Sequence, residues 1–173
     1  MMRKFYIAYG SNLSTTQMAV RCPMARLVGK AELSGWRLLF NYYATIEKKD
    51  GYSVPVLVWD ISSSDEKALD RYEGYPDFYR KEEIPVTVEV LDEDLEPTGE
   101  VREVTAMVYI MTGCRRPELP DHYYEGTLAN AYFRFGFDVR VLGKAMEETL
   151  AMAESLKRLK EESEALGRAA RTH

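Results

Sequence analysis

The stretch FYIAYGSNLSTTQ, residues 5–17, holds a strand, a tight turn and a helix start within thirteen positions. Phe5, Ile7 and Tyr9 alternate with Tyr6 and Ala8, the period of two that a β-strand imposes. The run then breaks on Gly10-Ser11-Asn12, and Ser14-Thr15-Thr16-Gln17 fits a capping box with Ser14 as N-cap and Gln17 reaching back. Pro23 ends the helix that starts there. A strand that stops on small residues directly before a helix start leaves main-chain N–H groups open to an approaching anion, carboxylate or oxyanion. A tight turn with no ligand explains the same letters equally well.

Further along, strand-like segments run from Ala31 to Tyr42 and from Val54 to Ile61. Ser63-Ser64-Asp65-Glu66 is a second capping box, opening a short helix through Ala68, Leu69 and Tyr72 that Gly74 and then Pro76 terminate. Ile84, Val86, Val88 and Val90 give the clearest alternation in the chain. An acidic loop, Asp92 to Gly99, joins them to Val101–Met111 as a hairpin. From Asp121 the pattern is helical, with a break near Gly136. A last helix from Asp138 to Ala170 carries Leu142, Met146, Leu150, Ala153 and Leu156 at helical spacing. Strands and helices do not alternate regularly, so the class is α+β with a mostly antiparallel, curled sheet.

The bulk numbers narrow the function. The 173 residues suit one domain with a real core; 46% are hydrophobic and 29% charged, and the formal net charge is -5. Basic and acidic residues interleave, which argues against a nucleic-acid partner. No apolar run approaches a membrane span, and MMRKFYIAYG lacks a cleavage-like site, so neither membrane nor signal peptide is expected. Cys22 and Cys114 stand alone, which fits a reducing compartment, with the cytoplasm as the expected location.

Candidate chemistry is sparse. His122 and His173 have no ligand-spaced partners, and LDEDLE lacks calcium-loop spacing, so no metal site is expected. Ser11 is not in a Gly-x-Ser-x-Gly elbow, and His122 would be its sole base. The two cysteines read as small hydrophobes. The Gly10 turn lacks the further glycines of a dinucleotide site and the Gly-Lys-Ser/Thr of a P-loop.

LDRYEGYPDFYRK, residues 69–81, is different. Glu73 falls in the last turn of the second helix, among Tyr72, Tyr75, Phe78 and Tyr79. Desolvation by those rings and the negative end of the helix dipole would both raise its pKa. A carboxylate there is wrong for stability, which hints at function. The plainer alternative is an exposed Glu paired to Arg71 or Arg80.

AYGSNL and LDRYEGYPDFYR, some sixty residues apart, together resemble the γ-glutamylcyclotransferase family. GWRLLFN and VYIMTGCRRPELPDHYYEGTLANAYFRFGF extend the likeness over roughly residues 4–142. The resemblance implies a small mixed β-barrel flanked by helices, residues 1–142, followed by a C-terminal helical extension, residues 143–173. It implies Glu73 as catalytic carboxylate and Tyr9, Gly10, Ser11, Asn12 and Leu13 as substrate-binding loop, with Tyr79 and Tyr124 lining the pocket. It implies a reaction without cofactor, in which a γ-glutamyl substrate cyclises to 5-oxoproline and releases an amine or amino acid. Ala131 replaces the family's usual Gly, which leaves the substrate open. Two alternatives stand beside this: a lyase removing a γ-glutamyl group from a secondary metabolite, and a small-molecule binding module of the same fold without catalysis. The Gly143–Ala170 helix could serve as a coiled-coil element pairing two copies into a homodimer, although its stripe fades after Leu159 and packing on its own barrel is the simpler use.

Overall fold

The computed structural model describes residues 2–113 and 116–171. Cys114 and His173 lie outside the described residues. Five strands, β1 (Arg3–Ala8), β2 (Arg26–Asn41), β3 (Tyr43–Ser62), β4 (Tyr79–Leu91) and β5 (Pro97–Met111), close into a barrel in the order β1-β3-β2-β4-β5. All neighbouring pairs are antiparallel except β1 with β5, which run parallel through Phe5–Ala106, Tyr6–Met107 and Ile7–Val108. Four helices flank it: α1 (Thr15–Arg21), α2 (Ser63–Glu73), α3 (His122–Phe135) and α4 (Val139–Ala170). The expected α+β barrel with flanking helices is what forms.

Alternation explains the strands, but two are much longer than their apolar centres. β2 begins at Arg26 rather than Ala31, and β3 at Tyr43 rather than Val54. The missed half of β3, through Glu47, Lys48, Lys49 and Asp50, is polar because it faces solvent. Hydrogen-bond register to β2, not burial, makes it a strand, with irregularities at Leu27/Gly29 and Ser34/Trp36. In its other half Val54, Val56, Leu57 and Val58 are all fully buried, with no polar alternate, so both faces of the strand are covered there.

The barrel closes at one tight point. β2 meets β4 only at Gly29–Val90 and Lys30–Glu89. A Cβ on Gly29 would lie 1.9 Å from the Glu89 carbonyl oxygen, so only glycine permits this contact. Beyond it the two strands splay, leaving an open groove of about 1070 Å³ lined by Ala31, Leu33, Trp36 and Val86 among others.

Helix ends need small corrections. Ser14 caps α1 by accepting the Gln17 N–H, but the Gln17 side chain turns to Arg21 instead of closing the box. The box on α2 is complete but one residue early. Ser62 is the N-cap and buried Asp65 its partner, because β3 runs up to Ser62; Glu66 is spent on Lys4 and Lys81. Gly74 ends α2 in the left-handed region at φ 65°, as expected.

α4 is continuous across residues 142–143. Its packed face is Leu142, Ala145 and Thr149, with Thr149 Oγ1 accepting the Phe40 N–H at 3.1 Å. Leu150 and Leu156 of the expected stripe are instead half exposed, and Leu159 and Leu166 more so. Packing on the barrel therefore accounts for the first half of α4 only.

Candidate active site

The FYIAYGSNLSTTQ stretch delivers its turn to a cavity. After β1, Ser11–Leu13 forms one 3-10 turn that leads directly into α1. The end of α2 arrives from the other side. Between them lies a cavity of about 350 Å³, lined by Tyr6, Tyr9, Gly10, Ser11, Asn12, Tyr43, Tyr72, Glu73, Phe78, Tyr79, Tyr109 and Tyr124. That is a volume suited to a small ligand. It shares no lining residue with the larger groove between β2 and β4.

Of the expected residues, Glu73, Tyr9, Gly10, Ser11, Asn12, Tyr79 and Tyr124 meet here. Leu13 does not: its side chain is fully buried in the core and its N–H bonds to the Gly10 carbonyl at 3.0 Å. Three of the four aromatics expected around Glu73 line the cavity. Tyr75 is outside, its ring 4.3 Å from the Lys81 ammonium. His122 is exposed at the start of α3, so among the described residues Ser11 has no histidine base; the Ser11 hydroxyl pairs with the Tyr72 hydroxyl at 3.1 Å.

Glu73 is the last residue of α2, at the negative end of its dipole. Among the described residues its carboxylate has no hydrogen bond or ion pair: Arg80 is taken by Glu82. Burial raises its pKa to about 7, opposed only by the nearby Arg21 guanidinium. A carboxyl group at that value can both accept and return a proton near neutrality.

The surrounding side chains hold one another. Tyr9 donates to the Tyr109 carbonyl at 2.6 Å, and Tyr79 to the Ala44 carbonyl at 2.9 Å. The Ala44 N–H donates to the Tyr124 hydroxyl at 3.2 Å, so the start of β3 fixes two tyrosines through one residue. Tyr109 donates to Asp70 at 2.5 Å, and Asp70 is held by Lys81. Arg21 stacks over Tyr72 at 3.5 Å and donates to the Asn12 side-chain oxygen, and the Asn12 amide donates to the Tyr6 hydroxyl at 2.9 Å. Sequence reasoning missed Tyr6, Tyr109 and Arg21. Arg71 lines the rim, and its side chain has no partner among the described residues.

A closed five-stranded barrel with a tyrosine-walled cavity defines the class, a small α+β barrel protein with an unpaired, partly buried carboxyl group, Glu73, at that cavity. Residues 6–130 match the model of the gamma-glutamyl cyclotransferase, AIG2-like family, and the chain belongs to that family. The gamma-glutamylcyclotransferases of Mus musculus and Homo sapiens are 31% and 32% identical to it over 119 residues. Each match takes in 62% of this chain and 58% of the relative, so the chain aligns with under two thirds of their length. A solved gamma-glutamyl cyclotransferase structure superposes with a TM-score of 0.63 at 24% identity, covering 87% of this chain and 88% of the other. An AIG2-like protein from Mus musculus gives a TM-score of 0.51 at 16% identity, covering 72% and 88%. These superpositions agree in fold.

Proposed function

We propose that this protein is a γ-glutamyl cyclotransferase, converting a γ-glutamyl amide to 5-oxoproline with release of an amine or amino acid. The observation that carries the reading is the unpaired Glu73 carboxyl lining the same cavity as the Gly10–Asn12 turn. A carboxylate without hydrogen-bond or salt partners costs stability, and a proton-transfer role accounts for it.

In this reading Glu73 takes a proton from the substrate α-ammonium. The freed amine attacks the γ-carbonyl carbon, and the carbonyl electron pair moves onto oxygen. When the pair returns, the bond to the departing nitrogen breaks as Glu73 delivers its proton to that nitrogen; the ring nitrogen, which still carries a second proton, then passes it through the Glu73 carboxylate to the released amine, leaving a neutral lactam and an ammonium. No water is consumed, and one carboxyl group serves every transfer. The tyrosine walls hold nucleophile and carbonyl in attack geometry, an effect worth about 7–11 kcal/mol when alignment is complete. In the turn at Gly10–Asn12 the Ser11 N–H is directed to the Tyr124 hydroxyl, and the Gly10 and Asn12 amides, which have no intrahelical acceptor, suit the substrate's anionic oxygen. Arg71 at the rim offers a cation to a leaving group that bears a carboxylate.

Mass detection of 5-oxoproline from a library of γ-glutamyl amino acids and γ-glutamyl amines tests the proposal. Formation of 5-oxoproline by the parent, and its loss in Glu73→Gln, is the expected outcome. Binding without 5-oxoproline release would sink it, and the library also ranks leaving groups with and without a carboxylate.

A further inference from the structure

Three tyrosine hydroxyls at the cavity spend their proton on the protein: Tyr9 on Tyr109, Tyr79 on Ala44 and Tyr109 on Asp70. Tyr6 and Tyr124 are arranged the other way round. The Tyr124 oxygen accepts from a main-chain N–H, which can only donate. At Tyr6 the direction is fixed one step further out. The Arg21 guanidinium has only donors, so it holds the Asn12 oxygen; the Asn12 NH₂ must then face Tyr6 and donate to it. A phenol has one proton, and among the described residues that of Tyr6 has no acceptor. Tyr6 is only 3% exposed, so bulk water does not supply one freely. Burial and the nearby Glu73 charge push the phenol well above its ordinary range, which keeps the proton in place.

We infer that the Tyr6 hydroxyl is a catalytic hydrogen-bond donor to the γ-carbonyl oxygen of the substrate, aimed by the Arg21–Asn12–Tyr6 chain. The inference rests on the cyclotransferase reading above. As the ring-closing carbon–nitrogen bond forms and the carbonyl pair moves to oxygen, the Tyr6 O–H bond to that oxygen strengthens without transferring its proton. A bond accepted from Asn12 polarises the phenol and makes it a better donor. A donor aimed where charge develops acts mainly on kcat.

The test uses three variants of the full chain, assayed at the pH plateau with one γ-glutamyl substrate. Tyr6→Phe removes the donor. Asn12→Asp keeps the shape but replaces the NH₂ with an acceptor, drawing the Tyr6 proton onto itself. Each should lower kcat by about 10²–10³-fold with KM within about threefold of the parent. The double variant should be no worse than the poorer single. The acid limb of the pH profile of Tyr6→Phe should not move, since its proton does not serve Glu73. Parent-like kcat in either single variant, multiplying losses in the double, or a shifted limb with the plateau restored would overturn the donor role. Should Tyr6→Phe fail to fold, Asn12→Asp alone decides by its kcat and KM. A parent that makes no 5-oxoproline overturns the cyclotransferase reading itself, and this inference with it.

Discussion

The Tyr124 hydroxyl fills the space that a side chain on residue 10 would need. A Cβ built on Gly10 would lie 2.8 Å from that oxygen and 3.4 Å from the Ala44 Cβ. A side chain at residue 10 would therefore have to displace a neighbouring phenol, in addition to any ligand that approaches the turn.

Gly10→Ala should push Tyr124 off the Ala44 N–H and raise KM while lowering kcat. Tyr124→Phe removes the clashing oxygen, so the pair should cost less than the sum of the singles. The coupling, read from a double-mutant cycle in kcat/KM, should be about 0.5–3 kcal/mol, the range for residues in contact. Strict additivity would show that the contact does not govern residue 10.

Glu73→Gln keeps the shape of the side chain and removes its titration. Turnover should fall by about 10²–10⁴-fold, the usual contribution of one acid–base group, with substrate affinity in calorimetry nearly unchanged. A variant cyclising at the parent rate would remove Glu73 from the chemistry.

The pH dependence follows from the same group. In the unfolded chain Glu73 titrates near its ordinary value of 4.5, and in the fold at about 7. Between those values the folded state binds more protons, so stability falls as pH rises from about 4.5 to about 7 and is level above. Allowing for the partial exposure of Glu73, the loss should be on the order of 1–3 kcal/mol and absent in Glu73→Gln. Denaturant titrations at pH 5 and pH 8 measure it. In kinetics the same carboxyl group should give kcat/KM an acid limb near pH 7. The limb in kcat should lie lower, because a bound α-ammonium favours the carboxylate.

Gly29→Ala should be among the most damaging single-methyl changes, since the added carbon would meet the Glu89 carbonyl 1.9 Å away. A backbone oxygen cannot rotate aside as a side chain does, so the strands must part. We expect destabilisation above about 3 kcal/mol, or loss of soluble protein, against no loss, or a gain of up to about 1 kcal/mol, for Gly143→Ala in α4, where an added Cβ meets nothing within 4 Å. Equilibrium unfolding of both variants checks it.

These features were unevenly legible in the sequence. The β1 alternation, the Gly-Ser-Asn turn and the Glu73 helix end are local patterns, and local physics fixes them. Ser11, Asn12, Glu73 and Tyr79 lie in or beside such patterns, whereas Tyr9 and Tyr124 were expected at the cavity only through the resemblance to the family. Tyr109 looks like any alternating strand residue, and Arg21 like any basic residue closing a helix. Their place at the cavity follows from parallel pairing of β1 with β5 and from α1 folding back under Tyr72, both long-range events. Tyr6 was visible only as the strand residue opposite Phe5 and Ile7; which face looks inward depends on closure, and in β1 Tyr6, Ile7 and Ala8 are all buried. The early half of β3 was missed because charge hides a strand whose partner, not whose composition, makes it one. Leu13 shows the converse: it sits in the motif, yet its side chain belongs to the core.

The two-residue junction between β2 and β4 gives the barrel a preferred line of parting. Local opening should begin there, and amides of residues 31–36 and 84–88 that face the groove should exchange hydrogen faster than those of Phe5, Tyr6 and Ile7, each held between two neighbours. The cavity walls stand on β1, β3 and β5 and on the opposite end of β4, at Tyr79, so breathing at the junction leaves them in place. Fluctuation in this molecule is quarantined from its chemistry by where the sheet was joined.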